Sequence, residues 1–209
     1  MRLFGKRHRD LPLQPLHTPR LKAVPARDAL DFAAAYAGAY DAEAMDWLGW
    51  FERPRPEVVQ WLLEVTEHNR ARRSRELPAS LRSVRHWRRK DSAFFVLVDR
   101  AEGRCAGAVS VQVKDGEVGG WLAPRFRGVG LGTELFRAGA DIAHEQLGMT
   151  TVRAGTQRSN TACRRALEAA GYEAAEGPSH HTLPDGRTVE ACWYAHQAHR
   201  RAELQVEHL

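Results

Sequence analysis

The chain has no apolar run approaching the roughly 18 residues of a membrane-spanning helix, so a membrane partner is not expected. Its three cysteines, Cys105, Cys163 and Cys192, are scattered and odd in number, which gives no metal or redox spacing and suits a reducing cytoplasm. Behind the basic residues Arg2, Lys6, Arg7 and Arg9 comes proline-containing sequence instead of an apolar signal core, so secretion is not expected. No lysine follows Lys114, which removes any nucleotide loop of the Gly-Lys-Ser/Thr type beyond that point. Repeats and low-complexity segments are also lacking.

What is present fits one globular domain with appendages: 209 residues, 43% apolar and 27% charged. A net charge of +5 is compatible with an anionic cofactor or partner and diagnostic of neither.

The organising stretch runs from Gly120 to Arg137 and reads as a strand ending at Leu122, a glycine-bearing turn and an amphipathic helix. Within it, Arg127-Gly128-Val129-Gly130-Leu131-Gly132 has the form Arg-x-x-Gly-x-Gly. Glycine lets backbone approach a ligand closely, and a helix starting there aims unpaired N–H groups and its positive dipole end into the loop. That is a cradle for a pyrophosphate, to which Arg127 could add charge. A dinucleotide fingerprint fits poorly, because Thr133 occupies the place of its third glycine. The acidic residue it wants about 20 positions on is replaced by Thr151, Val152 and Arg153. An ordinary glycine-rich strand-to-helix turn stays open on this loop alone.

A second segment, Gln157 to Tyr172, reads as a helix with Ser159 or Asn160 as N-cap and Gly171 just past its end. Together the two motifs resemble the GNAT superfamily of N-acetyltransferases, over about residues 17–197. Asn160, Gly171 and Tyr172 further resemble the subgroup that acetylates ribosomal-protein N-termini (the RimJ/RimL type), with Cys163 where that subgroup often has Ser. Thr18-Pro-Arg-Leu21 resembles its first strand.

The resemblance implies an α+β fold, with a mixed, mostly antiparallel sheet flanked by helices on both faces. It implies acetyl-CoA as co-substrate, an amine acceptor and direct attack in a ternary complex. The cofactor is expected on Trp121, Leu122, Ala123, Arg127, Gly128, Val129, Gly130, Leu131, Gly132 and Thr133, and on Asn160 and Arg164 of the second helix. Glu117 is the candidate base, acting through water, against a plain reading as a hairpin residue. Cys163 is the candidate acid for the departing thiolate, against a plain reading as a small packing residue. His180 and His181 are candidates for reading the acceptor, against a plain reading as surface residues. The leading acceptor is a protein or peptide N-terminal α-amine. A small amine (antibiotic, polyamine or amino-acid derivative) is the rival, and a catalytically weak acyl-CoA-binding module is the reading of another class.

Along the chain, residues 1–16 are expected as a basic, proline-containing arm, 17–197 as the acetyltransferase domain and 198–209 as a polar tail. His17–Val24 reads as an edge strand because of Pro19. A helix from Asp28 carries Phe32, Tyr36 and Tyr40; Met45–Phe51 is aromatic without helical period; a second helix carries Val58, Trp61, Leu62 and Val65. The arginine cluster from Arg70 to Lys90 reads as a solvated surface or, more sharply, as a contact for RNA or the ribosome. Strands are expected at Ala93–Val98, Arg104–Lys114, Glu117–Leu122 and Met149–Ala154, with an Asp115-Gly116 hairpin turn. A closing hairpin of Tyr172–Leu183 and Thr188–Ala195 turns at Pro184–Arg187. Monomer and homodimer are both open.

Overall fold

The computed structural model of the chain describes residues 13–26, 31, 35, 41–49 and 92–198. The helix expected to carry Val58, Trp61, Leu62 and Val65, the arginine cluster and the tail beyond Ala198 lie outside the described residues, as do Phe32, Tyr36 and Tyr40.

Three strands rich in β-branched, aromatic and small residues make the middle of the sheet. They are β3 (Ser92–Asp99), β4 (Cys105–Gln112) and β5 (Glu117–Leu122), paired antiparallel in sequence order. Before them come β1 (Leu16–His17) and β2 (Leu21–Pro25), and after them β6 (Thr151–Gln157), β7 (Glu173–Ala175), β8 (His180–Thr182) and β9 (Thr188–Gln197). The spatial order is β1-β2-β3-β4-β5-β6-β9-β7, with β8 also on β9, and among these pairs β5–β6 is the parallel one. Helices α1 (Ala42–Leu48), α2 (Leu131–Asp141) and α3 (Thr161–Ala169) complete the described elements. This is the mixed, mostly antiparallel α+β architecture expected.

Strand alternation sorts side chains into two cores. On one face Leu21, Phe95, Leu97, Val109, Val111 and Val118 are buried against Leu131, Leu135 and Ile142 of the α2 segment and Leu167 of α3. Full burial of such side chains is worth about 1.5–3 kcal/mol each. Helix α2 approaches so closely that a Cβ at Gly139 would stand 2.5 Å from Val118. On the other face Phe94, Val96 and Ala108 pack with Ala35, and the Trp121 indole N–H donates to the Ala35 carbonyl at 2.9 Å. After α2 the helix widens to a π turn over Ile142–Gln146, and Gly148 (φ 68°) ends the segment.

Several local expectations need correction. The edge strand is two strands, because Pro19 lies in the turn between β1 and β2, and β2 is paired on both sides. Met45–Phe51 was expected to be irregular, yet Ala42–Leu48 is helical. Asp41 caps it by accepting from the Ala44 N–H, and Gly49 ends it in the left-handed region. The β4–β5 turn spans Val113–Gly116, with Gly116 N–H donating to Gln112, so Asp115-Gly116 is half of a four-residue turn. The closing hairpin is interrupted: β7 and β8 pair with different parts of β9. Within the stretch expected as an arm, Leu16 pairs with Ala23, and Gln14 exchanges hydrogen bonds with Gln146.

Candidate active site

Strands β5 and β6 start side by side, with Glu117 opposite Arg153, and that is their single paired position. Beyond it the strands part. Ala123 N–H still donates back to Ala106 on β4 at 2.9 Å. Alternation therefore turns the N–H and C=O of Leu122 away from β4, toward the gap. The Leu122 carbonyl is taken by the Arg127 guanidinium at 2.9 Å. Its N–H is the group a ligand in the gap would meet, because open strand edges seek partners.

The loop after β5 makes a short 3₁₀ turn at Pro124–Phe126 and then takes positive φ at Gly128 (74°) and Gly130 (82°). L-residues rarely hold those values, and this explains glycine at both positions. Among the described residues the N–H groups of Gly128, Val129 and Gly130 make no backbone hydrogen bond. The first turn of α2 adds the N–H groups of Leu131, Gly132 and Thr133, which have no partner within the helix. Val129 stands at the tip, 56% exposed. A Cβ at Gly132 would meet Ala166 at 3.0 Å, so this third glycine serves the approach of α2 to α3.

Asn160 is the N-cap of α3, its side-chain oxygen accepting from Cys163 N–H at 3.0 Å. That leaves the Asn160 amide NH₂ as a donor beside the end of β6. Arg164 is engaged elsewhere, donating to the Tyr194 hydroxyl and the Arg158 carbonyl. Cys163 is partly buried and packs against the core, and its desolvation pushes the thiol pKa up against a hydrogen bond with Thr156.

At the root of the gap, burial raises the pKa of Glu117 and Asp115 adds to the rise, while His181 and Arg153 oppose it. Arg153 donates to the Glu176 carbonyl and lies 4.7 Å over the Trp193 ring. Thus the root holds a carboxylate of raised basicity, with His181 near it in charge. His180 is exposed on β8, bonded to Ser179.

Arg127 makes a bidentate ion pair with Asp41 at 2.8 and 2.7 Å and reaches Glu43 at 3.1 Å. Sequence reading missed Asp41, whose signal was the Asp-x-x-Ala cap with Gly49 behind it. It also missed the clamp on the loop. Glu134, 6% exposed in the first turns of α2, accepts from Thr18, from the Arg20 N–H and from the Arg20 guanidinium, which also donates to the Val129 carbonyl. Partners more than 100 positions apart carry no local signal.

A sheet parted beside a helix start with N–H groups that make no backbone hydrogen bond, and a carboxylate of raised pKa at the root, leave room and donors for an extended, anionic ligand. The profile of the acetyltransferase (GNAT) domain family matches residues 20–173, and the chain belongs to that family of N-acetyltransferases. Solved structures similar to it include a ribosomal-protein-S5-alanine acetyltransferase from Vibrio fischeri (14% identity, 88% of this chain and 96% of that one, TM-score 0.56). A GNAT-family acetyltransferase from Bacillus anthracis is similar at 14% identity (88% and 98%, TM-score 0.59). Spermidine N-acetyltransferase from Vibrio cholerae, in complex with CoA and spermine, is similar at 13% identity (86% and 96%, TM-score 0.59). No curated protein matches the chain. No helix among the described residues is long and apolar enough to cross a membrane.

Proposed function

We propose that the protein moves an acetyl group from acetyl-CoA to the α-amine of a peptide or protein N-terminus, by direct attack in a ternary complex. The observation behind this reading is that β5 and β6 part beyond the Glu117–Arg153 pair, leaving a gap with Glu117 at its root and the α2 N-terminus following the end of β5. The N–H groups of Gly128–Thr133 would receive the pyrophosphate, and the Leu122 peptide and the Asn160 amide the pantetheine arm. Bound there, acetyl-CoA supplies the activated acyl group. Glu117 takes the amine proton through water; its raised basicity suits that task, and an α-amine with a pKa of about 8 needs only modest help. Cys163 serves packing, because burial makes its thiol a weaker acid than a free one, and water then reprotonates the departing thiolate.

Charge favours a single amine over a polycation. Among the described residues, the acidic side chains of α1 and its cap are already paired with arginine: Asp41 and Glu43 with Arg127, Asp46 with Arg187. Among the described residues a polyamine would find Glu117, with Asp115 near it, at the root of the gap. Incubation with acetyl-CoA and a panel of peptides, spermidine and aminoglycosides, read by mass spectrometry, tests the acceptor. Acetyl appearing on the peptide α-amine is the expected result. Acetyl appearing on spermidine or an aminoglycoside, with peptides untouched, overturns it.

A further inference from the structure

Helix α1 bridges the two lips of the gap. Asp41, its N-cap, is held by Arg127, which also bonds the Leu122 carbonyl on the β5 lip. Near its other end, the Trp47 carbonyl accepts from Gln157, the last residue of β6, at 3.1 Å. Asp46 is held there too, its carboxylate and its carbonyl both accepting from Arg187 in the β8–β9 turn at 2.7 and 2.6 Å. From Asp41 to Trp47 the helix rises about 9 Å, against about 4.8 Å between paired strands. The contacts at the two ends of α1 thus reach both lips, over a rise longer than the spacing of paired strands. It also stands on the face of Glu117, because Glu117 and Arg153 are partners and Gln157 lies an even number of residues beyond Arg153.

The guanidinium that the loop motif supplies meets two carboxylates and one carbonyl. A phosphate brought to it would also meet Asp41 and Glu43, a cluster with a net negative charge. We infer that Arg127 is a positioning residue and not a phosphate ligand: with Asp41 it fixes α1 as a strut across the gap, setting the width open to the pantetheine arm and the wall that the amine meets. This rests on the acyl-CoA site proposed above. The strut ties the acceptor wall to the same lip that carries the Leu122 N–H, so loosening it disturbs both substrates.

The two roles of Arg127 predict opposite signs for one substitution. Asp41→Asn keeps a good helix N-cap but removes the bidentate one of the two carboxylates facing Arg127, leaving Glu43. A phosphate-binding Arg127 would lose its nearest competitor, and acetyl-CoA would bind more tightly. A strut would be loosened: the Kd for acetyl-CoA and the KM for the amine should each rise, by roughly 3- to 10-fold, as for a partly exposed charge-assisted pair, with kcat changing less. Arg127→Lys is the second variant. It keeps the charge but loses the two-pronged fork that Asp41 accepts, so the strut reading predicts a similar loss. In the double variant the losses should fall well short of additive. Calorimetry with acetyl-CoA and steady-state kinetics on the full chain, with circular dichroism to confirm folding, read all of these. Unchanged or tighter acetyl-CoA binding in Asp41→Asn overturns the strut while the site stands. Absence of acetyl-CoA binding in the wild-type protein overturns the site itself, and the strut with it.

Discussion

Glu117 shows how one side chain can be set against its own fold. Burial is the largest influence on it and raises its pKa, Asp115 raises it further, and His181 and Arg153 pull it back. A carboxyl shifted this way favours the folded state while protonated; that contribution is complete below the ordinary carboxylate value and disappears as pH rises through the raised one. At neutral pH the ionised group therefore works against stability. Glu117→Gln should raise Tm at neutral pH, and the gain should vanish in acid. The same substitution should lower kcat by roughly 10²-fold near neutral pH. That deficit should shrink as pH rises, because more acceptor amine is then already neutral. A pH series of Tm and kcat checks both halves; a lowered Tm with unchanged kcat would make Glu117 a hairpin residue.

Among the elements, α2 has its start fixed from outside. The Glu134 carboxylate feels burial most strongly, which raises its pKa, but the hydrogen bonds from Thr18 and Arg20 together outweigh it and hold the group below its ordinary value. The sign is opposite to that at Glu117: the stabilisation is present above the ordinary carboxylate value and is lost as pH falls through the lowered one. Through Arg20 the same carboxylate is linked to the Val129 carbonyl, so the glycine loop is braced against β2. Glu134→Gln should cost about 1–3 kcal/mol, since a buried charge-assisted acceptor is replaced by a neutral one. Urea unfolding at several pH values measures it, with the difference from wild type narrowing in acid. A pH-independent difference would mean that the carboxylate charge is not what Arg20 recognises. The chain made α2 and α3 readable because their cues are local: glycines before one, Asn160 before the other, and apolar spacing along α2. It concealed α1, whose seven residues are too few to show a period and whose aromatic character masks the caps.

For the whole molecule, the legible part was what adjacent residues decide. A continuous run of β-formers at Phe94–Val98 and alternation around Val109–Val111 pointed to the middle strands, and the spacing of Gly128, Gly130 and Gly132 to the turn before α2. What escaped was long-range: Thr18 and Arg20 meeting Glu134, Asp41 meeting Arg127, Trp47 meeting Gln157, each joining elements that only the folded sheet brings together. If the parted β5–β6 lips and the α2 start hold acetyl-CoA, the backbone amides lining them are covered when it binds. Hydrogen–deuterium exchange with and without CoA tests it most directly, because the groups named are backbone amides. The predicted result is slowed exchange at Leu122 and at Gly128–Thr133 when CoA is added. Slowed exchange confined to other parts of the chain, with these amides unaffected at saturating CoA, would contradict it.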